Sequence, residues 1–319
     1  MSPRGDQNGW PMTSFPSGFF DPLPRILVAD DFDHGMSGWL DLRPNFVAPG
    51  FREHSSDIDL IHWGPTMLSS ATFAFGGTHG SASGTYSLKI SSRAAAAPAD
   101  QPPAAGSMGL AIKRLAVPGD ARRLRIEALL AYKVEQDRPG LGVDDLRAFG
   151  MFVDLQDDEH RYMPGVRYVN AVGGEAVRRW QYYSPTDATD EEWSYGADGW
   201  HKAGVDPQWF GERGPDGSTV ATTWFEDGEQ HLIYNESDDK LNWTPFSLTV
   251  DLVNRSYEEF RVGGRSFRFP DGAHPTLAPA YNDIEGLLNP VFFVEADTDR
   301  RVSLFLDSVL ISVERGEAA

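Results

Sequence analysis

Cysteine is missing from all 319 residues, which excludes disulfides, thiolate metal sites and a cysteine nucleophile. Basic residues are scarce: 28 Lys and Arg stand against 47 Asp and Glu, a net charge of -19. A protein that tracks phosphates must present a basic face to displace counterions. Nucleic-acid binding is therefore not expected, and docking to an anionic membrane surface is disfavoured for the same reason. No apolar run approaches the roughly 20 residues of a membrane-spanning helix. The opening MSPRGDQNGWPMTSFPSGFFDPLPR lacks a charged start followed by an apolar stretch, so it reads as neither signal peptide nor anchor, and a cytoplasmic location is the expectation. Also absent are helical heptads, a Gly-rich phosphate loop before a helix, a Gly-x-Ser-x-Gly elbow and a His-Glu-x-x-His helix. No organic cofactor is expected.

What is abundant points to strands. Glycine at 32, proline at 22 and 12% aromatics suit many strands joined by tight turns. Period-two runs recur from Arg25 onward, the pattern of antiparallel strands with one buried face. Their inward sets are Leu124, Ile126, Ala128, Leu130, Tyr132 and Val134; then Phe149, Met151, Val153 and Leu155; then Phe246, Leu248, Val250 and Leu252. EEFRVGGRSFRF is a hairpin turning on Gly263 and Gly264, and VSLFLDSVLISVE, apolar on both faces, is a central strand. RAAAAPADQPPAAG, residues 93–106, reads as a flexible surface loop, and no internal repeat is visible. The expectation is an all-β antiparallel β-sandwich with long aromatic-rich loops: an irregular arm over residues 1–24 and a single domain over residues 25–319.

Three segments in order, FDHGMSGW (Phe32 to Trp39), GTYSLKI (Gly84 to Ile90) and FLDSVLISV (Phe305 to Val313), resemble the concanavalin A-like, jelly-roll superfamily of carbohydrate-binding sandwiches. WTPFSLTVDLVNRSYEEFRVGGRSF is similar to the hairpin region of laminin-G-like members. The resemblance spans nearly the whole chain and specifies architecture better than activity. It implies a structural calcium ion held between the first and last strands, carried here by Asp33 and Asp307 with Asp31 nearby, since calcium takes six to eight oxygens. The closing motif, Asp-Ser-Val, lacks the paired acids common in the family. The plain alternative is that Asp30, Asp31 and Asp33 solvate a turn and cap backbone amides. His34 reads as a turn residue, because calcium prefers oxygen.

The densest chemistry lies in FGMFVDLQDDEHRYMPGVRYVN. Pairing of residues 149–156 with 161–169 as a hairpin places Asp154, Gln156, Arg161 and Arg167 on one face, a set suited to sugar hydroxyls. Asp154 and His160 are the candidate proton-transfer groups, although cleavage of a glycosidic bond needs two groups about 5 to 9 Å apart. A charge-rich hairpin tip such as Asp157 to His160 is usually only a solvated turn. Trp180, Trp193, Trp200, Trp209, Trp224 and Trp243 form an aromatic zone with Tyr182, Tyr183 and Tyr195. From it Trp180, Tyr182, Trp200 and His201 are the candidate sugar contacts, with ordinary core packing as the alternative.

Three functions follow. The first is a carbohydrate-active enzyme of hydrolase or lyase type acting on a small glycoside or oligosaccharide on the polar sheet face. The second is a non-catalytic carbohydrate-binding sandwich, and the third a structural protein that forms homo-oligomers through an exposed sheet face.

Overall fold

The structure is a computed structural model. It describes residues 18–41, 67–69, 80–92, 108–134, 143–185, 193–196, 199–202, 222–234, 242–280, 284–298 and 300–316. Among these residues there is no α-helix, and the strands in chain order are β1 (Arg25–Asp30), β2 (Trp39–Asp41), β3 (Met67–Leu68), β4 (Leu88–Ser91), β5 (Met108–Lys113), β6 (Leu115–Ala116) and β7 (Ala121–Val134). After a 3-10 turn at Val143–Asp145 come β8 (Leu146–Gln156), β9 (His160–Tyr162), β10 (Gly165–Val172), β11 (Glu175–Tyr183), β12 (Trp193–Gly196) and β13 (Gly199–Lys202). The rest are β14 (Thr222–Glu229), β15 (Thr244–Asp251), β16 (Ser256–Val262), β17 (Arg265–Phe267), β18 (Leu277–Pro279), β19 (Leu287–Ala296) and β20 (Val302–Arg315).

Two antiparallel sheets face each other as a sandwich, the fold class expected. One runs β17-β16-β15-β7-β20-β4-β3, and β1 lies beyond β4 along the same edge of β20. The other runs β14-β11-β10-β8-β19-β5-β2, extended by β6, β9 and β18. The first strand thus closes on the last, from Arg25 opposite Val313 to Asp30 opposite Val309.

Alternation explains which residues meet between the sheets. The inward sets of β7 and β8 are all buried in one cluster, where they meet Phe246, Leu248 and Val250 of β15, with Leu252 partly buried against them. Each such side chain contributes about 1.5–3 kcal/mol when fully withdrawn from water. β20 is buried on both faces up to Val313, because β7 and the β1/β4 pair hold its two edges while Val, Leu and Ile occupy both sides. The turn between β16 and β17 carries Gly263 and Gly264 at φ +57° and +80°, the left-handed pair that a two-residue hairpin requires.

Residues 18–24 lie against the outer face of the first sheet. The Asp21 amide donates to Glu127 Oε1 (2.8 Å), the Leu23 amide donates to Ser312 Oγ (3.0 Å), and Arg125 Nη1 meets Asp21 Oδ2 at 3.0 Å. Within the long loop expected after β11, β12 and β13 form a short hairpin, with Tyr195 opposite Trp200. The loop at 93–106 lies outside the described residues.

Candidate functional site

The hairpin that places the polar candidates is present. Gln156 of β8 pairs with Arg161 of β9, and Phe152 pairs with Gly165 of β10. Asp154, Gln156, Arg161 and Arg167 accordingly share the outer face of the ten-stranded sheet. That face is buried, not open: Asp154 is 5% exposed, Gln156 3% and Arg167 0%. Leu110, Ile112, Phe152, Tyr183, Val291 and Phe293 form a second apolar cluster there.

Each polar group on this face is engaged by a neighbour. Arg161 donates from Nε to Asp154 Oδ1 and from Nη2 to Oδ2, both at 2.7 Å, while Asn289 Nδ2 donates to Oδ2 at 3.2 Å. Gln156 Nε2 donates to the Ile284 carbonyl at 2.6 Å. Arg167 donates to Glu295 Oε2 at 2.8 Å and to Gln181 Oε1 at 3.3 Å. Glu295 faces Arg147 at 3.3 Å, and Arg147 reaches Asp297 at 3.0 Å. A chain of alternating charge, Arg167, Glu295, Arg147 and Asp297, is buried across β10, β19 and β8 and the turn after β19, where each charge is offset by an opposite neighbour.

This geometry corrects the proton-transfer pair. Asp154 is closed on both oxygens by a guanidinium. Tyr162, two residues beyond His160, points into the core between the sheets, and Arg161 points to the outer face. Strand alternation therefore puts His160 on the side opposite Asp154, so the two do not flank a common bond. The adjoining turn is clamped: Arg255 holds Asp157 Oδ2 at 2.7 Å and Glu159 Oε2 at 2.9 Å. Burial pushes the Asp157 carboxyl up, but Arg255 and the amides of His160 and Glu159 outweigh it and hold the group below its ordinary value.

Trp180 and Tyr182 are also corrected. They point inward, as neighbours on one face, into the core. Trp180 is fully buried, donates to Gln230 Oε1 at 2.8 Å, and meets Tyr168, Phe260 and Phe149 at 5.0, 4.8 and 5.9 Å between ring centres. Tyr182 packs on Phe225 and Phe269. Neither ring presents a face to a ligand. Trp200 and His201 belong to β13, whose side chains lie outside the described residues.

Asp33 and Asp307 do converge, on one loop. Asp33 Oδ1 accepts the amides of Thr85 (2.5 Å) and Tyr86 (3.0 Å); Asp307 Oδ2 accepts those of Ala82 (2.6 Å) and Ser83 (2.8 Å). A side chain at Gly84, φ +71°, would strike the Asp33 carboxylate, so only glycine lets the loop lie so close. Asp31 turns back to accept the Asp33 amide at 3.1 Å. The donor set does not fit a calcium ion. Four N–H groups aim at these two carboxylates, where a cation needs oxygens, and among the described residues no three acidic or imidazole groups gather for a metal. The carboxylates act as staples that tie the loop to the first turn and the last strand.

A different place offers room for a ligand. Between the sheets, at the end where β7 finishes, lies a cavity of about 220 Å³ lined by Tyr132, Tyr168, Asn170, Arg178, His231 and Tyr234, with Val143 and Leu232. Tyr132 comes from the inward set of β7, Val143 from the 3-10 turn before β8, Tyr168 and Asn170 from β10, Arg178 from β11, and His231, Leu232 and Tyr234 from the segment after β14. Tyr234 stacks on Tyr132 with ring centres 5.2 Å apart and 18° between planes, and its hydroxyl accepts the Val134 amide at 3.3 Å. Tyr168 donates to the Gln230 carbonyl at 2.7 Å. Burial pushes the Tyr168 phenol up to about 12 and Tyr132 higher still, so both remain neutral. Arg178 Nη1 lies 3.4 Å from His231 Nδ1.

None of these cavity residues was singled out in the sequence as a ligand contact: Tyr132 read as core, and Tyr168 and Asn170 fell unnamed within the hairpin stretch. The lining supplies aromatic faces, hydroxyls, a guanidinium and an imidazole. Among the described residues it contains no carboxylate, and so no acid pair of the kind glycosidic cleavage uses.

A family model described as "Domain of unknown function (DUF6772)" matches residues 17–315. No curated protein matches the chain. Among solved structures the chain is similar to "Cellulose induced protein, Cip1", at 12% identity and a TM-score of 0.40 over 92% of this chain and 100% of that one. It is also similar to the T. cruzi calreticulin globular domain, at 10% and 0.40 over 91% and 88%. The CBM2 module of Lactobacillus casei BL23 phage J-1 evolved Dit follows at 8% and 0.38 over 92% and 98%. Likenesses this remote assign a role to no residue.

Proposed function

We propose that this chain, which belongs to the family described as "Domain of unknown function (DUF6772)", binds a small sugar without cleaving it. The observation that carries the reading is the tyrosine-lined cavity between the sheets, with polar groups on several walls and no carboxylate among its described lining residues. Pyranose rings present apolar C–H faces and hydroxyl edges; Tyr234, held on one face by the stack on Tyr132, offers its other face to the first, and the Asn170 amide, the Arg178 guanidinium and the phenols offer the second hydrogen bonds. The volume suits one sugar ring. The sequence resemblance to carbohydrate-binding sandwiches points the same way, and the capture of Asp154 by Arg161 weighs against turnover on the outer sheet face.

Calorimetric titration of the purified protein with mono- and oligosaccharides, followed by product analysis, tests the proposal. A bound sugar is expected to be recovered intact, and Tyr234→Ala to weaken it about tenfold, roughly 1.4 kcal/mol. Consumption of the sugar, or binding indifferent to Tyr234→Ala, would refute the reading.

A further inference from the structure

We infer that the ligand of this cavity is anionic, a sugar-sized body bearing a carboxylate that Arg178 receives with His231 beside it. The inference rests on the cavity reading above and adds the chemical class of the ligand.

Among the described lining residues Arg178 carries the one permanent charge. The phenols of Tyr132 and Tyr168 stay neutral, so they offer neither a competing anion nor a partner for the guanidinium. The ion pair that Arg178 makes is a long one, 4.0 Å from Nη2 to Asp144 Oδ1, beyond hydrogen-bond reach. Its contact at Nη1 is with an imidazole nitrogen at 3.4 Å. When that Nδ1 accepts, the imidazole proton sits on Nε2, and His231, which is exposed at the mouth, becomes a second donor.

The backbone is bent to deliver this side chain. Arg178 adopts φ +55°, a left-handed conformation uncommon for a residue with a side chain. It lies in β11 just before the bulge between Arg179 and Gln181, and the paired strand β10 has its own bulge between Val169 and Ala171. Strain of this kind gathers where a side chain must be aimed, and here the aimed group is a guanidinium at the mouth of a cavity, its side chain one-third exposed.

Charge arithmetic makes the local arrangement necessary. At a net charge of -19 the chain repels anions at long range, so recognition has to be made at contact. A guanidinium does this well, because its planar fork matches a carboxylate with two parallel hydrogen bonds. A neutral hexose would leave that fork half used. A free sugar acid and the terminal uronate of an acidic oligosaccharide present the same group, and the volume accommodates one ring of either.

The test is titration of the full chain with D-glucuronate and D-galacturonate, each against its methyl ester and its neutral hexose, and with an acidic disaccharide. The free acids are expected to bind at least tenfold tighter than ester and hexose, and Arg178→Gln to collapse that preference while Arg178→Lys keeps part of it. The acid–ester comparison is made on the unaltered protein, so a poorly folded variant does not decide the matter. A disaccharide tighter than the monosaccharide marks a chain end as the source; the reverse marks a free sugar acid. Equal binding of acid and hexose, both weakened by Tyr234→Ala, overturns the charge inference and leaves the sugar cavity standing. Binding of none of these probes overturns both.

Discussion

Replacing Asp154 by Asn separates a catalytic carboxylate from a structural one. The side chains of Asp154 and Arg161 are 8% and 11% exposed, and the guanidinium covers both carboxylate oxygens at 2.7 Å. Asparagine keeps the shape but turns one charged acceptor into a donor facing Arg161, which leaves a buried cation without its counter-charge. Breaking one side of such a pair costs about 3–5 kcal/mol, or roughly 6–20 °C in melting temperature at 2–4 °C per kcal/mol. A double replacement by apolar residues of similar volume, Asp154→Leu with Arg161→Met, is expected to recover most of that loss, because no unpaired charge remains. Chemical denaturation of the parent, Asp154→Leu, Arg161→Met and the double variant completes the cycle, and titration with the sugar bound by the parent checks that the cavity is indifferent. A single variant that costs less than about 1 kcal/mol, as an exposed pair would, refutes the buried-clamp account. So does a variant that stays stable and loses turnover.

Further outcomes follow from the corrected residues. Trp180→Ala is expected to cost about 3–5 kcal/mol through the cavity it leaves and to orphan Gln230 Oε1; a stable variant with altered sugar binding would return Trp180 to the ligand. Saturating calcium or a chelator is expected to leave the melting temperature unchanged, and a rise with calcium would overturn the amide-staple reading of Asp33 and Asp307. Burial, only partly offset by the amides of Ser83 and Ala82, raises the Asp307 carboxyl from 3.8 to about 6. Its stabilising contribution is complete below its unfolded value and is lost as pH rises through about 6, a fall of roughly 3 kcal/mol. Asp307→Asn is expected to flatten that slope in denaturation curves measured from pH 4 to 7. Asp157, held below its ordinary value, loses its contribution only as pH falls below its unfolded value, under this range, and a slope that persists in the variant assigns the dependence elsewhere.

The sandwich was legible because its information is local. Alternation in β7, β8 and β15 names the inward side of each strand without any knowledge of the partner, and Gly263 with Gly264 marks its turn within four residues. The same alternation correctly grouped Asp154, Gln156, Arg161 and Arg167. What alternation does not carry is the environment of the second face. An outward polar residue has the same signature whether it meets water or, like Arg167 beside Glu295, lies fully buried in an ionic chain assembled from strands 128 residues apart. The Trp180 reading failed for a related reason: tryptophan density in sequence is blind to which side of β11 each ring takes.

The cavity was illegible because it is built where regularity stops. Tyr132 sits at the end of a long alternating strand and looks like one more core residue. Tyr168 precedes a bulge and Asn170 lies in it, Arg178 adopts a left-handed backbone, and His231 to Tyr234 belong to no strand. Most of these positions lie where the periodic rule fails or ends, and together they span about a hundred residues with no shared motif. The Gly173–Gly174 turn, both at positive φ, is the one local hint, because it forces β11 to restart close to β10 and brings Arg178 to the sandwich end. A ligand site at this end needs only that the last turns of four separate strands be irregular in compatible ways. Such a site is invisible to pattern, and its chemistry is carried by the one guanidinium the irregular backbone aims inward.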